Sequence, residues 1–367
     1  MRYFLITLAV AIVKLSHANA SLSDTILDKL KPLFDRFSEE WNIGISVGIR
    51  APGVDIEYVT GRNNVQDPTS LMKETTLTPV GSFTKLWTSV SILRLVQQHH
   101  IKLDDPVHKY VDPIFARYTN HSSLKDCLDN QTAANDITIK HLLHMTSGLQ
   151  DYDDVYYAQN TYFGKEPEVE RALSPFTLLE HSNRTLLHAP GNTSSGTYSS
   201  NGYFLLGLVL ASHYTNGDWE SMVHKQLEAA LPHELHSTFK KNVVFFGKGK
   251  CSSYKNVAHT FGTLFDLSVY KLRFVDLYEK SCNDGFGFGN IALTGKAVAD
   301  LYHHLFVERS ILDSKHLSLM TSNFLPINLG DPKLTYALGL IKSWTPQGPL
   351  FEHGGEDYGS GVSNALT

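Results

Sequence analysis

The sequence contains little cysteine, which restricts the kinds of protein it can encode. Its 367 residues include three cysteines, Cys127, Cys251 and Cys282. Their spacing fits neither a zinc ribbon nor a redox C-x-x-C pair, so structural roles are expected. The sequence alone does not fix a pairing, although Cys251 with Cys282 is the most local one and would leave Cys127 over.

The chain also lacks an excess of positive charge. It carries 32 Lys and Arg residues against 37 Asp and Glu residues, which gives a formal net charge of −5. Proteins that hold nucleic acids or anionic membranes do so through basic residues. We therefore expect no nucleic-acid partner and no electrostatic attraction to an anionic membrane.

An apolar run long enough to span a membrane is missing as well. The run from Tyr3 to Val13 has eleven residues, whereas a bilayer core needs about 20. It follows the basic start Met1-Arg2 and leads to Ala18-Asn19-Ala20, where small residues at −3 and −1 are typical of a signal-peptidase site. We predict a cleaved signal peptide over residues 1–20, a secreted, extracellular protein, and no stable membrane insertion.

Glycosylation signals agree with secretion. Within residues 21–367, the predicted mature chain, all four N-x-S/T sequons fall in a stretch of 73 residues. They predict one glycan-bearing face of a eukaryotic secreted protein, with glycans on Asn120, Asn130, Asn183 and Asn192.

Patterns for metal sites and for another hydrolase fold are absent. His141-x-x-His144 lacks the glutamate of the H-E-x-x-H motif, and no G-x-S-x-G motif of an α/β-hydrolase occurs. We therefore expect no metal and no cofactor.

Hydrophobic periodicity predicts strands near both ends of the chain and helices between them. Residues 21–41 have helical spacing, and residues 45–58 alternate around Pro52-Gly53 as a hairpin does. A second helix begins at Ser82 and runs to about His99, and residues 336–343 and 350–362 have the pattern of strands. A further short helix, 139–145, is stopped by Gly148.

These elements predict one domain over residues 21–367 of the α/β (α+β) class. Its antiparallel sheet would be built from both chain ends, about 21–100 and 285–367, and flanked by helices. A mainly helical part would cover about 104–284. The sequence shows no repeat and no low-complexity linker.

A serine becomes a strong nucleophile when a neighbouring group accepts its proton, and S-x-x-K on a helix places an amine beside the hydroxyl. Six such quartets occur, beginning at Ser70, Ser82, Ser122, Ser237, Ser252 and Ser268. Ser82 alone follows a glycine and opens a long amphipathic helix, whose free N–H groups and dipole favour an anion there. An ordinary helix cap is the alternative for this serine.

Two later segments strengthen the case for Ser82. The first runs from Tyr198 to Tyr203, and a tyrosine held beside a lysine is expected to have a pKa well below its usual value of about 10. The second is His353-Gly354-Gly355, where glycines let a backbone approach a substrate closely. A core tyrosine and a glycine turn are the alternatives.

Together these motifs resemble the class C β-lactamase and D-alanyl-D-alanine carboxypeptidase superfamily, including its esterase-like members. Gly81-Ser82-Phe83-Thr84-Lys85, residues 137–149 (ITIKHLLHMTSGL), 198–207 and 353–355 stand in the family order. The resemblance covers essentially the whole mature chain. It implies a β-lactamase/transpeptidase-like fold.

The resemblance also implies roles for individual residues. Ser82 would be acylated, Lys85 would tune proton transfer, and Tyr198 would act as general base and then as acid. His353 would occupy the place of the third-motif lysine or histidine. The backbone N–H groups of Ser82 and Glu356 would form the oxyanion hole.

Two features depart from the family pattern. The resemblance implies that Ser200, Gly354 and Gly355 bind the substrate, but Ser200 stands where the second motif commonly has asparagine. A hydroxyl cannot offer both an amide donor and a carbonyl acceptor, so recognition of a substrate amide changes and esters or unusual amides are favoured. Only twelve residues follow Gly355, whereas the family fold continues with further strands and a helix. We therefore expect C-terminal elements to be missing from this sequence.

The sequence thus predicts a secreted serine hydrolase that forms an acyl-enzyme on a small-molecule amide, peptide or ester substrate. The alternative is a catalytically inactive relative that serves as a binding or scaffold protein.

Overall fold

The computed structural model describes residues 21–163, 174–282 and 285–366. The predicted signal peptide, residues 1–20, lies outside them.

Helices occupy most of the middle of the described chain. The α-helices are α1 (Leu22–Trp41), α2 (Thr84–Gln97), α3 (His108–Tyr118), α4 (Gln131–Ala134), α5 (Ile139–Leu143), α6 (Asp154–Thr161), α7 (Pro175–Glu180), α8 (Ser200–Tyr214), α9 (Trp219–Val223), α10 (Gln226–Ala230), α11 (His236–Phe239), α12 (Gly295–Tyr302) and α13 (Ser314–Thr321).

Strands cluster toward the two ends, with four more in between. The strands are β1 (Ile45–Ala51), β2 (Val54–Thr60), β3 (Thr78–Pro79), β4 (Gly196–Thr197), β5 (Val243–Phe245), β6 (Phe261–Asp266), β7 (Lys271–Asp276), β8 (Ile291–Leu293), β9 (Leu325–Asn328), β10 (Thr335–Tyr336), β11 (Ile341–Thr345), β12 (Gly348–Glu352), β13 (Gly355–Asp357) and β14 (Ser360–Val362).

The N-terminal elements form where local signals predict them. Helix α1 starts at a capping box in which Ser21 and Asp24 satisfy each other's backbone N–H groups. Asp35 of α1 accepts hydrogen bonds from Tyr58 and, at 2.7 Å, from Thr60, which ties the helix to β2. The predicted hairpin is confirmed, since β1 and β2 pair from Ile45–Thr60 to Ala51–Val54.

The core is built around two helices that are buried on nearly all sides. Helices α2 and α8 contact each other, and their long apolar side chains are almost completely inaccessible to solvent. Helix α8 is apolar on all sides, as helices in the interior of a large domain are, whereas α2 also buries polar residues such as Lys85 and Ser89. On α2, Trp87 packs edge-to-face against Phe239 and Phe245. This packing fixes the first turn of α2, which carries Lys85, and the 3-10 turn before it, which carries Ser82.

The predicted fold class, a mixed α/β domain with antiparallel sheets, is confirmed. In the described chain, β3 of the N-terminal part pairs with β8 of the C-terminal part in the sheet β3-β8-β5, so the two chain ends share a sheet, as predicted. The strands β1 and β2 form a separate two-stranded sheet, and the largest sheet has the order β12-β11-β10-β9-β4. The hairpin instead meets α12, because Gly48 and Gly295 bring the two backbones together; a Cβ on Gly48 would lie 2.2 Å from the Gly295 carbonyl oxygen. The pair β4–β9 is parallel.

The stretch predicted as mainly helical also carries a hairpin closed by a disulfide. Cys251 and Cys282 are bonded, which confirms the most local pairing, and Cys127 is a buried free thiol. The loop between the two bonded cysteines contains the antiparallel pair β6–β7. Strand β4 thus lies between α7 and α8, and β5 to β7 follow α11, all within the stretch predicted as mainly helical.

Candidate functional site

Ser82 lies in a 3-10 turn, Gly81–Phe83, at the entrance to α2. Lys85 is on the first turn of that helix and is inaccessible to solvent. Its Nζ donates to Ser82 Oγ at 2.9 Å and to the Phe288 carbonyl oxygen at 3.3 Å. The spacing i, i+3 on one helix face therefore forms the predicted serine–lysine pair.

Lys85 is held in an aromatic enclosure. Its Nζ lies 4.7 Å from the ring centre of Tyr198, 5.5 Å from that of Phe288 and 6.0 Å from that of Tyr203. Burial lowers the pKa of Lys85 to about 7, and the negative charge of Asp151 opposes part of this shift. A substantial fraction of the amine is consequently neutral near pH 7 and able to accept a proton.

Tyr198 reaches the same place from the segment before α8. Its ring centre lies 4.7 Å from Lys85 Nζ and its phenol interacts with Ser82, so the three predicted side chains meet at one place. The expectation of a lowered pKa for Tyr198 is not met: burial raises the pKa of its phenol above the usual value of 10. Tyr198 is therefore a neutral phenol, which is suited to donating a proton.

His353 lies deep in the site as a neutral imidazole. One ring nitrogen is 2.8 Å from the Gly354 carbonyl oxygen and the other is 3.0 Å from the Tyr336 hydroxyl. Burial and, to a smaller extent, the charge of Lys85 together lower the pKa of His353 to about 3. Tyr336 in turn contacts Tyr203 at 3.1 Å. The third motif thus contributes a buried hydrogen-bond network and no positive charge.

Strand β13 crosses directly over the serine turn. A Cβ on Gly355 would lie 2.0 Å from the Val80 carbonyl oxygen and 3.1 Å from the Ser82 nitrogen, and a Cβ on Gly81 would lie 1.9 Å from the Glu356 carbonyl oxygen. Only residues without a side chain permit this approach.

The hairpin register orients the Glu356 backbone. Asp357 pairs with Ser360 and Glu356 with Gly361 across a two-residue turn. Along an antiparallel strand, the backbone N–H and C=O groups of successive residues point alternately toward and away from the partner strand. The two residues that flank a two-residue turn point toward each other, so the next residue along the strand points away. The Glu356 N–H accordingly faces away from β14, on the edge that lies against the serine turn.

Asp151 is a site residue that sequence reasoning missed. One carboxylate oxygen accepts from the backbone N–H groups of Ser200 at 2.8 Å and Tyr152 at 3.0 Å, and the other from Ser200 Oγ at 3.4 Å. Asp151 lies in the loop just after Gly148, where no spacing rule marks a carboxylate as functional. Ser200, predicted to bind substrate, here binds Asp151.

The predicted glycosylation sites lie on accessible parts of the structure. Asn120, Asn130 and Asn183 are exposed and Asn192 is half-exposed. The side-chain oxygen of Asn130 already caps α4, by accepting from Ala133 N at 3.3 Å. At these positions the asparagine side chains are accessible to an oligosaccharide transferase, and glycosylation stays a prediction.

No cluster of three or more metal-ligating side chains occurs in residues 21–163, 174–282 and 285–366. Among the helices of the same ranges, none has both the length and the apolar character needed to cross a bilayer.

Comparison with known families identifies the family to which the chain belongs. The profile of the beta-lactamase family matches residues 30–364, which is most of the sequence. The chain belongs to the beta-lactamase family, within the superfamily of serine hydrolases that the sequence motifs resemble.

One sequence relative is Protein flp of Staphylococcus aureus (strain MRSA252), which is 29% identical over 168 residues. The match covers 46% of this chain and 29% of flp, so the chain spans less than a third of that relative's length.

Solved structures share the fold over most of the chain. The D-amino acid amidase from Ochrobactrum anthropi SV3, complexed with D-phenylalanine, gives a TM-score of 0.68 at 17% identity, covering 91% of this chain and 86% of the amidase chain. The octameric penicillin-binding protein homologue from Pyrococcus abyssi gives 0.64 at 22% identity, covering 90% and 68%. At these identities the likeness shows the fold.

Proposed function

We propose that the mature chain is a secreted serine hydrolase that forms an acyl-enzyme on Ser82 and hydrolyses a small amide or ester. The observation that carries this proposal is the 2.9 Å contact between Ser82 Oγ and the buried amine of Lys85. A fully buried lysine that donates to a half-exposed serine has no evident packing purpose, because burying its charge is costly. A proton-transfer role explains its position.

In the acylation step, neutral Lys85 accepts the proton of Ser82 as Oγ attacks the substrate carbonyl carbon. The resulting oxyanion accepts hydrogen bonds from the backbone N–H groups of Ser82 and Glu356. The Tyr198 phenol then donates its proton to the leaving amine or alcohol, which departs and leaves the acyl group on Ser82. The neutral state of Tyr198 supports this order of events, in which it acts first as acid.

In the deacylation step, the Tyr198 phenolate accepts a proton from a water molecule, whose oxygen attacks the acyl carbon. The bond to Ser82 Oγ breaks, and protonated Lys85 returns its proton to that oxygen. All three side chains regain their starting protonation states, so the cycle needs no cofactor.

A substrate panel tests this function with the mature, glycosylated protein. The panel contains p-nitrophenyl esters, a chromogenic β-lactam and D-phenylalanine p-nitroanilide, the last because one solved neighbour is a D-amino acid amidase. We expect turnover of at least one of these compounds. Silence across the whole panel and across broader ester, peptide and lactam panels would contradict the proposal and favour the inactive binding protein.

The pH dependence of acylation provides a second prediction. The second-order rate of Ser82 labelling by a fluorophosphonate should rise with pH and have its midpoint near 7, because the pKa of Lys85 is about 7 and its neutral form accepts the serine proton. Below the midpoint the ammonium predominates and the rate falls about tenfold per pH unit.

A competing titratable group is Asp357, the residue after Glu356, whose pKa burial raises to about 6. An Asp357→Asn variant should keep the midpoint of the wild type. A labelling rate that is flat between about pH 5 and pH 9, or a midpoint that moves with Asp357→Asn, would contradict the assignment to Lys85.

A further inference from the structure

Asp151 is fixed in the site by the second motif itself. Ser200 donates both its backbone N–H, at 2.8 Å, and its hydroxyl, at 3.4 Å, to the two carboxylate oxygens. The backbone N–H of Tyr152 donates to the first oxygen at 3.0 Å. Three donors therefore hold the carboxylate in one orientation, and hydrogen bonds to a carboxylate favour its ionised form.

The identity of residue 200 makes this arrangement possible. In the related proteins that the motifs resemble, asparagine commonly stands at this place, and its amide would bring its own donor and acceptor. Serine is shorter, and its hydroxyl donates to a carboxylate delivered from another segment. The loop after α5 supplies that carboxylate as Asp151.

We infer that the Ser200–Asp151 pair is a positioning device that places a negative charge beside Lys85 and thereby sets the pH range in which Ser82 is reactive. This inference rests on the proposed function of Ser82 and Lys85. It assigns Asp151 a role through Lys85, without contact to the substrate.

The electrostatic surroundings of Lys85 support this role. Asp151 is bound by Ser200, two residues after Tyr198, whose ring centre lies 4.7 Å from Lys85 Nζ. The charge of Asp151 raises the pKa of Lys85 against the effect of burial. Burial raises the pKa of Asp151 itself, and the charge of Lys85 and the hydrogen bonds to Ser200 and Tyr152 oppose that rise. The other groups that face the amine are the neutral phenols of Tyr198 and Tyr203 and the neutral imidazole of His353. Within the part of the chain that the structure describes, Asp151 is thus the anion that acts on Lys85.

An Asp151→Asn variant tests the inference. Asparagine has nearly the same shape and still accepts from the Ser200 N–H, so mainly the charge is lost. The midpoint of the fluorophosphonate labelling rate should move to lower pH by about one unit or more, since an unpaired buried amine loses its proton more easily. An unchanged or raised midpoint in the folded variant would overturn the inference.

Asp153→Asn is the matched control. Asp153 is an exposed carboxylate two residues away that caps α6 through Val155 N and Tyr156 N, and asparagine is an equally good cap. This variant removes one negative charge from the same loop and should keep the wild-type midpoint.

A direct titration separates this inference from the proposed function. Carbon-13 NMR of lysine-labelled protein, with the Lys85 signal assigned through Lys85→Arg, reports the ionisation of Lys85 without any reaction at Ser82. A lower titration midpoint of Lys85 in Asp151→Asn supports the inference even if no substrate or probe reacts. Failure of the wild-type protein to react with the fluorophosphonate contradicts only the proposed function.

Should Asp151→Asn fail to fold, Ser200→Ala carries the same test. It removes the hydroxyl donor and keeps the backbone N–H, so the carboxylate is held less firmly and is less readily ionised. The Lys85 midpoint should move in the same direction by a smaller amount, and an upward shift or none would overturn the inference.

Discussion

Ser82→Ala is expected to lower kcat/KM by a factor of about 10³ or more for every substrate that the wild-type protein hydrolyses. Without the hydroxyl there is no oxygen to carry the acyl group, and Lys85 has no proton to accept. The measurement is kcat/KM on the best substrate of the panel, with circular dichroism to show that the variant is folded.

Ser237→Ala is the matched control for Ser82→Ala. Ser237 also begins an S-x-x-K quartet, with Lys240, but it is exposed on the four-residue helix α11. This variant should retain wild-type activity. Equal activity of Ser82→Ala and Ser237→Ala would show that another group performs the chemistry.

Gly355→Ala is expected to lower the rate of Ser82 labelling by about 10²–10³-fold, the usual effect of losing one oxyanion donor. The new Cβ would lie 2.0 Å from the Val80 carbonyl oxygen and 2.5 Å from the Phe83 nitrogen. Both atoms belong to backbone that cannot move aside easily, so β13 must shift away from the serine turn and take the Glu356 N–H with it.

Gly354→Ala distinguishes this steric effect from a general sensitivity of the third motif. A Cβ on Gly354 would meet only the Val362 carbonyl oxygen, at 3.5 Å, which is an ordinary contact. Its loss of labelling rate should therefore be much smaller than that of Gly355→Ala. Similar losses in two folded variants would contradict the proposed position of the oxyanion hole.

Elements that depend on local signals could be predicted from the sequence. Helix α1 and the hairpin β1–β2 form where periodicity and the Pro52-Gly53 turn place them. Partners far apart along the chain could not be predicted, because pattern alone does not specify which strands pair. The parallel pair β4–β9 and the contact of α12 with β1 are of this kind.

The candidate site divides in the same way. The pairing of Ser82 with Lys85 follows from helix geometry, whereas the presence of Tyr198 and His353 in the same site was expected from the family resemblance. Asp151 had no signal, since a lone carboxylate after a turn is usually solvated. The direction of the pKa shift of Tyr198 was also beyond sequence reasoning, because it depends on burial.

The central claim is that Ser82 is the residue that becomes covalently modified. The most direct measurement is tandem mass spectrometry of proteolytic peptides after treatment of the wild-type protein with a fluorophosphonate. The account predicts one adduct per chain, on Ser82. An adduct on any other residue, or an unmodified protein after prolonged exposure, would contradict it.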